Sequence, residues 1–384
     1  MSNLLTTVSA SHLAKAIFDA DVPEEVIREL PAQTLYMVIQ YNGLHSSIEV
    51  VEQSTDEQLK AIIDLDIWNR DEINETQIWE WLRLADIPDP SSSDTSGLDI
   101  LAKFLKCFDL KLVSLLIRKY INVTTNEEPT DQPPAERCFS PDNGFTWLSF
   151  RDLTADQEFL LGRLVAMIFE SKAEVFYQLL SIAQANTNIL LEEEAYQDKE
   201  KRLAVEGIPE FAYACEINSG KTAKVIVKEL VEKTTIQSYD LAVIEPLVAI
   251  ANEAEIPEPL LSALKSNQQE SLLEEFTLLI NAGCVFFKIP FFEKESLNFL
   301  CKQIIGAINI GLESLINESG HTADKVLGGL ELKKIYQVGL YELGQFRKKL
   351  YANPVEGFVS NETLPYKIIN EEKYPVERLS DLMN

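Results

Sequence analysis

Histidine is nearly missing from this chain: three occur in 384 residues. A metal centre built on several imidazoles is therefore excluded. The five cysteines, Cys107, Cys138, Cys215, Cys284 and Cys301, are odd in number, scattered and free of C-x-x-C spacing. That pattern excludes a disulfide framework and a zinc ribbon, and it fits a reducing compartment. Positive charge is scarce as well, with 34 basic against 61 acidic side chains and a net charge of −27. Lys and Arg are what displace counterions from phosphate, so nucleic acid is not an expected partner, whereas a basic protein is compatible with the field. Long hydrophobic runs are absent; "CVFFKIPFF" is the most apolar stretch and is broken by Lys288 and Pro290, so no membrane insertion is expected. The start, "MSNLLTTVSASHLAKAIFDADVPEE", lacks a basic region followed by an apolar run, so a cytoplasmic protein without a signal peptide is expected. G-x-S-x-G, H-E-x-x-H, G-x-G-x-x-G and a Walker lysine are all absent. No catalytic residue, metal ligand or cofactor is nominated by motif.

What is present is helix. Apolar residues, 46% of the chain, recur at helical spacing almost throughout, which predicts an all-α fold with at most minor strands. Residues 1–87 read as short helices stacked in a solenoid-like domain, among them "PEEVIREL", "PAQTLYMVIQYNG" and "TDEQLKAIIDLD". Thr55 with Gln58 three residues on forms a capping-box signature. After the linker "PDPSSSDTSG", one long connecting helix is predicted over 98–121, then a Pro- and acid-rich linker over 122–146. A middle helical region follows at 147–217, then a connector at 218–245, where "KTAKVIVKELVEKTTIQ" reads as extended. A bundle of longer helices is predicted over 246–352 and an irregular tail over 353–384, with a short strand at "YKII". Gly306 and Gly311 lie inside a strongly apolar helix, each costing about 1 kcal/mol relative to Ala. Close approach of the next helix, which carries Gly339 and Gly344, would account for them.

The stretch "DLDIWNRDEINETQIWEW", Asp64 to Trp81, concentrates unusual chemistry. Asp64, Asp66, Glu72 and Glu75 match the offsets of a calcium loop, but Trp68 and Arg70 fall at ligand positions and Asn69 stands where Gly makes the turn. A helix–turn–helix corner explains more: Asn74 caps a new helix, and Ile78, Trp81, Leu82 and Ala85 form its buried stripe. Asp66 and Arg70, four apart, would pair if the first helix continues. Trp79 lies off the stripe beside Arg83, which nominates those two for a partner-facing surface. The second acidic cluster, "LEEEAYQDKEKRLAVEG", begins with Glu192, Glu193 and Glu194 and predicts a solvated helix face on which Asp198 pairs with Arg202. Asp64 and Asp66 with Glu192 to Glu194 would be the carboxylates of an enzyme, were they to converge.

The segments "LPAQTLYMVIQYNGLHSSIEVV", "EQLKAIIDLDIWNRDEINETQIWEWL", "LEEEAYQDKEKRLAVEGIPEFAYACE" and "LKKIYQVGLYEL" resemble a bacterial family catalogued as domain of unknown function 6178. The resemblance implies a bacterial cytosolic origin and an all-helical fold, and it transfers no activity. That family carries a Trp and an Arg shortly after "EEEAY", where this chain has Gln197 and Asp198. The expected function is a cytosolic helical scaffold or adaptor binding another protein. Two alternatives stay open: a carboxylate-based or metal-dependent enzyme, and a secreted bacterial effector whose tail, "NEEKYPVERLSDLMN", would be the signal.

Overall fold

A computed structural model describes residues 10–18, 23–69, 71–84, 96–231, 255–266, 270–360 and 364–382. Among them the chain forms eighteen α-helices and only short strands, the mostly α fold expected. It divides into two compact units: Ala20–Arg202, and Met1–Asp19 together with Leu203–Asn384.

In the unit Ala20–Arg202 the short helices form where the sequence places them: Pro23–Glu29, Ala32–Asn42, Ile48–Gln53 and Asp56–Ile67. Thr55 and Gln58 close both halves of a capping box. The side chain of Gln58 also donates to the carbonyls of Ile27 (2.9 Å) and Leu30 (2.7 Å), filling acceptors at the end of Pro23–Glu29. Lys103 does the same for Ile48–Gln53, donating to the carbonyls of Glu52 and Ser54. Leu35, Ile39, Leu59, Ile62, Ile78 and Trp81 are buried, and Trp81 meets Phe104 edge to face at 5.9 Å.

Three expectations for the chain between 98 and 231 are corrected. The single helix over 98–121 is two, Ser96–Cys107 and Leu110–Tyr120. Asp109 breaks the run, because its carboxylate caps the second helix by accepting from the Lys111 amide (2.8 Å). The expected linker 122–146 is folded within this unit. Ile121–Thr125, Thr146–Phe150 and Cys138–Phe139 make an antiparallel sheet with Thr146–Phe150 central, in register Ile121 to Phe150. Its few apolar residues suffice because Asp142 holds the hairpin through Ser140, the Thr146 amide and the Tyr177 hydroxyl, all within 2.9 Å. Gly144 (φ +96°) packs so tightly on the Thr130 backbone that a side chain would overlap it. The third correction lies in the other unit: "AKVIVKELV" is the helix Ala223–Val231, with Ile226 and Ala223 on its buried side. Residues 232–245 of that expected connector fall outside the described residues, as do Arg70 and Ala85.

The other unit is organised by Lys294–Ser319 against Leu332–Ala352. Gly311 and Gly339 explain the closeness, whereas Gly306 faces the Val376 carbonyl of the tail and not the next helix as expected. A Cβ on Gly311 would overlap the Ile335 carbonyl, and one on Gly339 would overlap that of Ala307. Gly344 has open space beside it and takes no part. Lys294–Ser319 is long and apolar enough to cross a membrane by composition, but most of its apolar window is buried in this unit, which makes it the core helix. Buried in that helix, Asn309 accepts from the Leu260 amide (3.0 Å) and donates to the carbonyls of Glu258 and Glu377, tying the tail to the core. The tail includes the expected strand as Tyr366–Ile369, paired with Phe358–Val359 and Glu372–Pro375.

Candidate functional site

The ionisable residues singled out in the sequence lie in the unit Ala20–Arg202. Asp64 is on the third turn of Asp56–Ile67 and is buried, with 5% of its surface exposed. A carboxylate so placed needs a partner, and Arg202 supplies a fork: Nε to Oδ2 at 2.6 Å and Nη2 to Oδ1 at 2.9 Å. The third arm, Nη1, reaches Asp109 Oδ2 at 2.8 Å. Asp109 thus caps a helix with one oxygen and binds the guanidinium with the other. Burial nevertheless pushes the Asp64 carboxyl above its ordinary range, with Arg202 pulling it down.

Residues nearer the start of the helix that carries Arg202, Asn188–Val205, extend the cluster. Lys111 pairs with Asp198 (2.7 Å) and lies 3.6 Å from Glu194, and Lys201 pairs with Asp198 at 3.3 Å. Arg202 therefore pairs with Asp64 and Asp109, not with Asp198 as the i, i+4 spacing predicted. Lys199 sits against aromatic rings, 4.3 Å from the Tyr196 centroid and 5.4 Å from that of Trp68, and the two rings meet edge to face. Burial lowers the Lys199 amine to about 8, against the pull of Glu200, Asp64 and Asp71.

Asp66, two residues from Asp64, faces a different set of groups. It accepts from Gln40 Nε2 (2.6 Å), Gln77 Nε2 (2.6 Å) and Trp81 Nε1 (2.7 Å). Gln77 stands three residues after Asn74, where a capping box would return a side chain to the cap. Asn74 does accept from the Gln77 amide, but the Gln77 side chain turns to Asp66 instead. Burial raises the Asp66 carboxyl, while the donors on Trp81, Gln77, Gln40 and Tyr36 act in the opposite direction. Two of the four calcium-loop carboxylates are thus taken by protein donors: Asp64 is held by a guanidinium and Asp66 by amides and an indole.

Trp79 corrects a further expectation. It is 4% exposed and meets Tyr120 edge to face at 5.8 Å, so it is core and not a partner-facing residue. The Glu75–Arg83 helix is covered on two sides, by Tyr120 at Trp79 and by Phe104 at Trp81, so its apolar stripe is wider than one side of contact predicts. Arg83 is at the surface, bonded to Glu80 and to Asp156 at 2.9 Å, and His45 lies 3.2 Å from Glu80. Glu192 is half-buried and Glu193 exposed, the latter accepting from Gln197 (2.8 Å). Of the carboxylates expected to converge, Glu194 reaches the Asp64 cluster by way of Lys111 and Asp109; Asp66 has separate partners.

A family model described as "Family of unknown function (DUF6178)" matches residues 2–376. The chain belongs to this family. No curated protein and no solved structure matches this DUF6178 chain. The residues that sequence reasoning missed in the cluster are Arg202, Asp109, Lys111 and Lys199. One signal pointed to Arg202: Leu191 and Ala195 are buried on Asn188–Val205, and Arg202 continues their stripe seven residues on.

Proposed function

We propose that this DUF6178 chain is a bacterial, cytoplasmic helical scaffold or adaptor that binds another protein. The observation that carries the reading is at the start of Asn188–Val205. Ile189 is 82% exposed and Leu190 44% exposed, immediately before Glu192 and Glu193. Large apolar side chains next to carboxylates, on a chain of net charge −27, suit a partner with an apolar contact and a basic rim. The occupation of Asp64 and Asp66 by the chain's own donors supports the same reading, since it leaves those carboxylates a structural task. The test is capture at native expression level with the wild-type chain and with Ile189→Asp/Leu190→Asp. The reading expects a reproducible partner that the variant loses while its melting temperature stays within 2 °C or so, because exposed positions contribute little stability (about 0.5 kcal/mol). No reproducible partner, or the same partner retained by the variant, refutes it.

A further inference from the structure

The helix Leu332–Ala352 ends on a face left open among the described residues. Leu343, Phe346 and Leu350 point inward, and Phe346 meets Phe358 edge to face at 5.1 Å. At helical spacing Gly344, Arg347, Lys348 and Tyr351 then share the outward side. One turn earlier that side is covered, since a Cβ on Gly220 would come within 2.8 Å of the Tyr341 backbone. At Gly344 the cover stops: a Cβ there would meet nothing within 4 Å, and Tyr351 is 66% exposed. A glycine inside a helix needs a reason, because most side chains hold a helix better. Packing against the described residues supplies none for Gly344.

The same face is basic on an acidic chain. Arg347, Lys348 and Lys349 follow one another, and no Asp or Glu occurs between Glu342 and Glu356, in a chain of net charge −27. Lys348 and Lys349 are exposed, and among the described residues neither lies within ion-pair distance of an acid. Glu342 is engaged elsewhere, accepting from Ser314 (3.1 Å). The helix dipole accounts for a cation such as Lys349 in the last turn, but not for Gly344 or the exposed ring. That ring is held in place: Arg347 Nη2 donates to the Tyr351 hydroxyl (3.4 Å), which donates to the Ser360 carbonyl (3.3 Å). An aromatic already fixed in one orientation loses little freedom on docking. We infer that the face from Gly344 to Tyr351 docks an acidic segment of a partner protein, its main chain at the glycine, an apolar residue on Tyr351 and its carboxylates on the three cations.

A short carboxylate-bearing segment suits this face better than an extended polyanion. The cations occupy one helical turn, and the chain is acidic elsewhere. Nucleic acid or an anionic membrane would lay its phosphates along that acidic surface as well. A short segment meets only the charges within the screening length, about 8 Å at physiological salt. The face belongs to a different unit from Ile189 and Leu190 and is opposite to theirs in charge, so the inference stands whether or not a partner binds there.

Fluorescence anisotropy of a labelled oligoglutamate peptide carrying one leucine, titrated with the full chain at low salt, tests the site. The wild type should bind it saturably, more weakly as salt rises, and should leave the glutamine counterpart unbound. Lys348→Glu/Lys349→Glu should weaken binding about tenfold or more. Lys224→Glu/Lys228→Glu makes the same change in net charge at exposed positions of Ala223–Val231 and should weaken it about threefold at most. Gly344→Leu should weaken binding about tenfold while the melting temperature holds or rises, which a merely structural glycine would not do. No saturable binding by the wild type, equal losses in the two charge variants, or unchanged binding in Gly344→Leu overturns the inference. Tighter binding of a single-stranded oligonucleotide or of anionic-lipid vesicles than of the peptide overturns it too. Should the Lys348→Glu/Lys349→Glu variant fail to fold, Gly344→Leu decides alone.

Discussion

Replacing Arg202 with Leu isolates the Asp64 cluster more cleanly than any other single change. The substitution removes three hydrogen bonds at once, two to Asp64 and one to Asp109. Asp109 is 11% exposed at its side chain and keeps its second job at the Lys111 amide, so it is partly compensated. Asp64 is left buried without its fork, and stranding one partner of a buried ion pair costs about 3–5 kcal/mol. For a unit of this size that is about 10 °C in melting temperature. The cost also depends on pH. Asp64 already titrates above the usual carboxylate range through burial, and without Arg202 it does so at still higher pH. A raised folded-state value gives stability that is full below the unfolded value and lost as pH rises through the folded one. The defect should therefore be larger at pH 8 than at pH 5. The second arm is Asp64→Leu/Arg202→Leu, which removes the stranded charge and should be more stable than Arg202→Leu alone. All four tryptophans, Trp68, Trp79, Trp81 and Trp147, belong to Ala20–Arg202, so urea unfolding followed by tryptophan fluorescence reports on this unit alone. A single variant within 1 kcal/mol or so of wild type, or a double variant no better than the single, would refute the assignment of Arg202 as counter-ion to a buried carboxylate.

Two further outcomes test the packing. Trp79→Ala should lose about 3–5 kcal/mol in the same fluorescence assay, as a buried aromatic does, whereas a change below 1 kcal/mol or so would return Trp79 to the surface. Gly311→Ala should lower the melting temperature seen by circular dichroism, because its Cβ would strike the Ile335 carbonyl; Gly344→Ala should hold or raise it by up to about 1 kcal/mol of helix propensity. Equal effects of the two alanines would contradict the close crossing of these helices.

Local signals were legible where the deciding physics is local. Thr55 and Gln58 are three residues apart, and both halves of their capping box form as written. Gly311 inside an apolar helix asked for a close neighbour, and Gly339 on the next helix meets that need. The sheet at 121–150 was not legible, because its register joins Ile121 to Phe150 across a stretch whose composition is that of a loop. Its strands run two to five residues and bury only the apolar Ile121 and Leu148 fully, with Phe139 stacked on Phe150, so Asp142 and the ladder bonds add what no readable apolar period could. Ala223–Val231 fell to the same limit from the other side: a short run with Val225, Val227 and Leu230 suits strand and helix alike until Ile226 is seen to be the buried residue.

The carboxylates show where sequence reading stops for a physical reason. Asp64 and Asp66 are the same residue type, two apart, on one helix, and nothing local distinguishes them. One accepts a guanidinium from position 202 and the other accepts amides and an indole from positions 40, 77 and 81. What a buried carboxylate does is set by the donors that reach it, and these come from 11 to 138 residues away in the chain. Spacing offered calcium because ligand offsets are written locally, while the competing donors are not. Arg202 makes the same point from the cation's side. Asp198, at the favourable i, i+4 spacing, is left to Lys111, since an exposed pair of that kind contributes only about 0.3–0.5 kcal/mol. Leaving Asp64 uncompensated would cost several times more, and so the buried carboxylate, not the exposed one, takes the guanidinium.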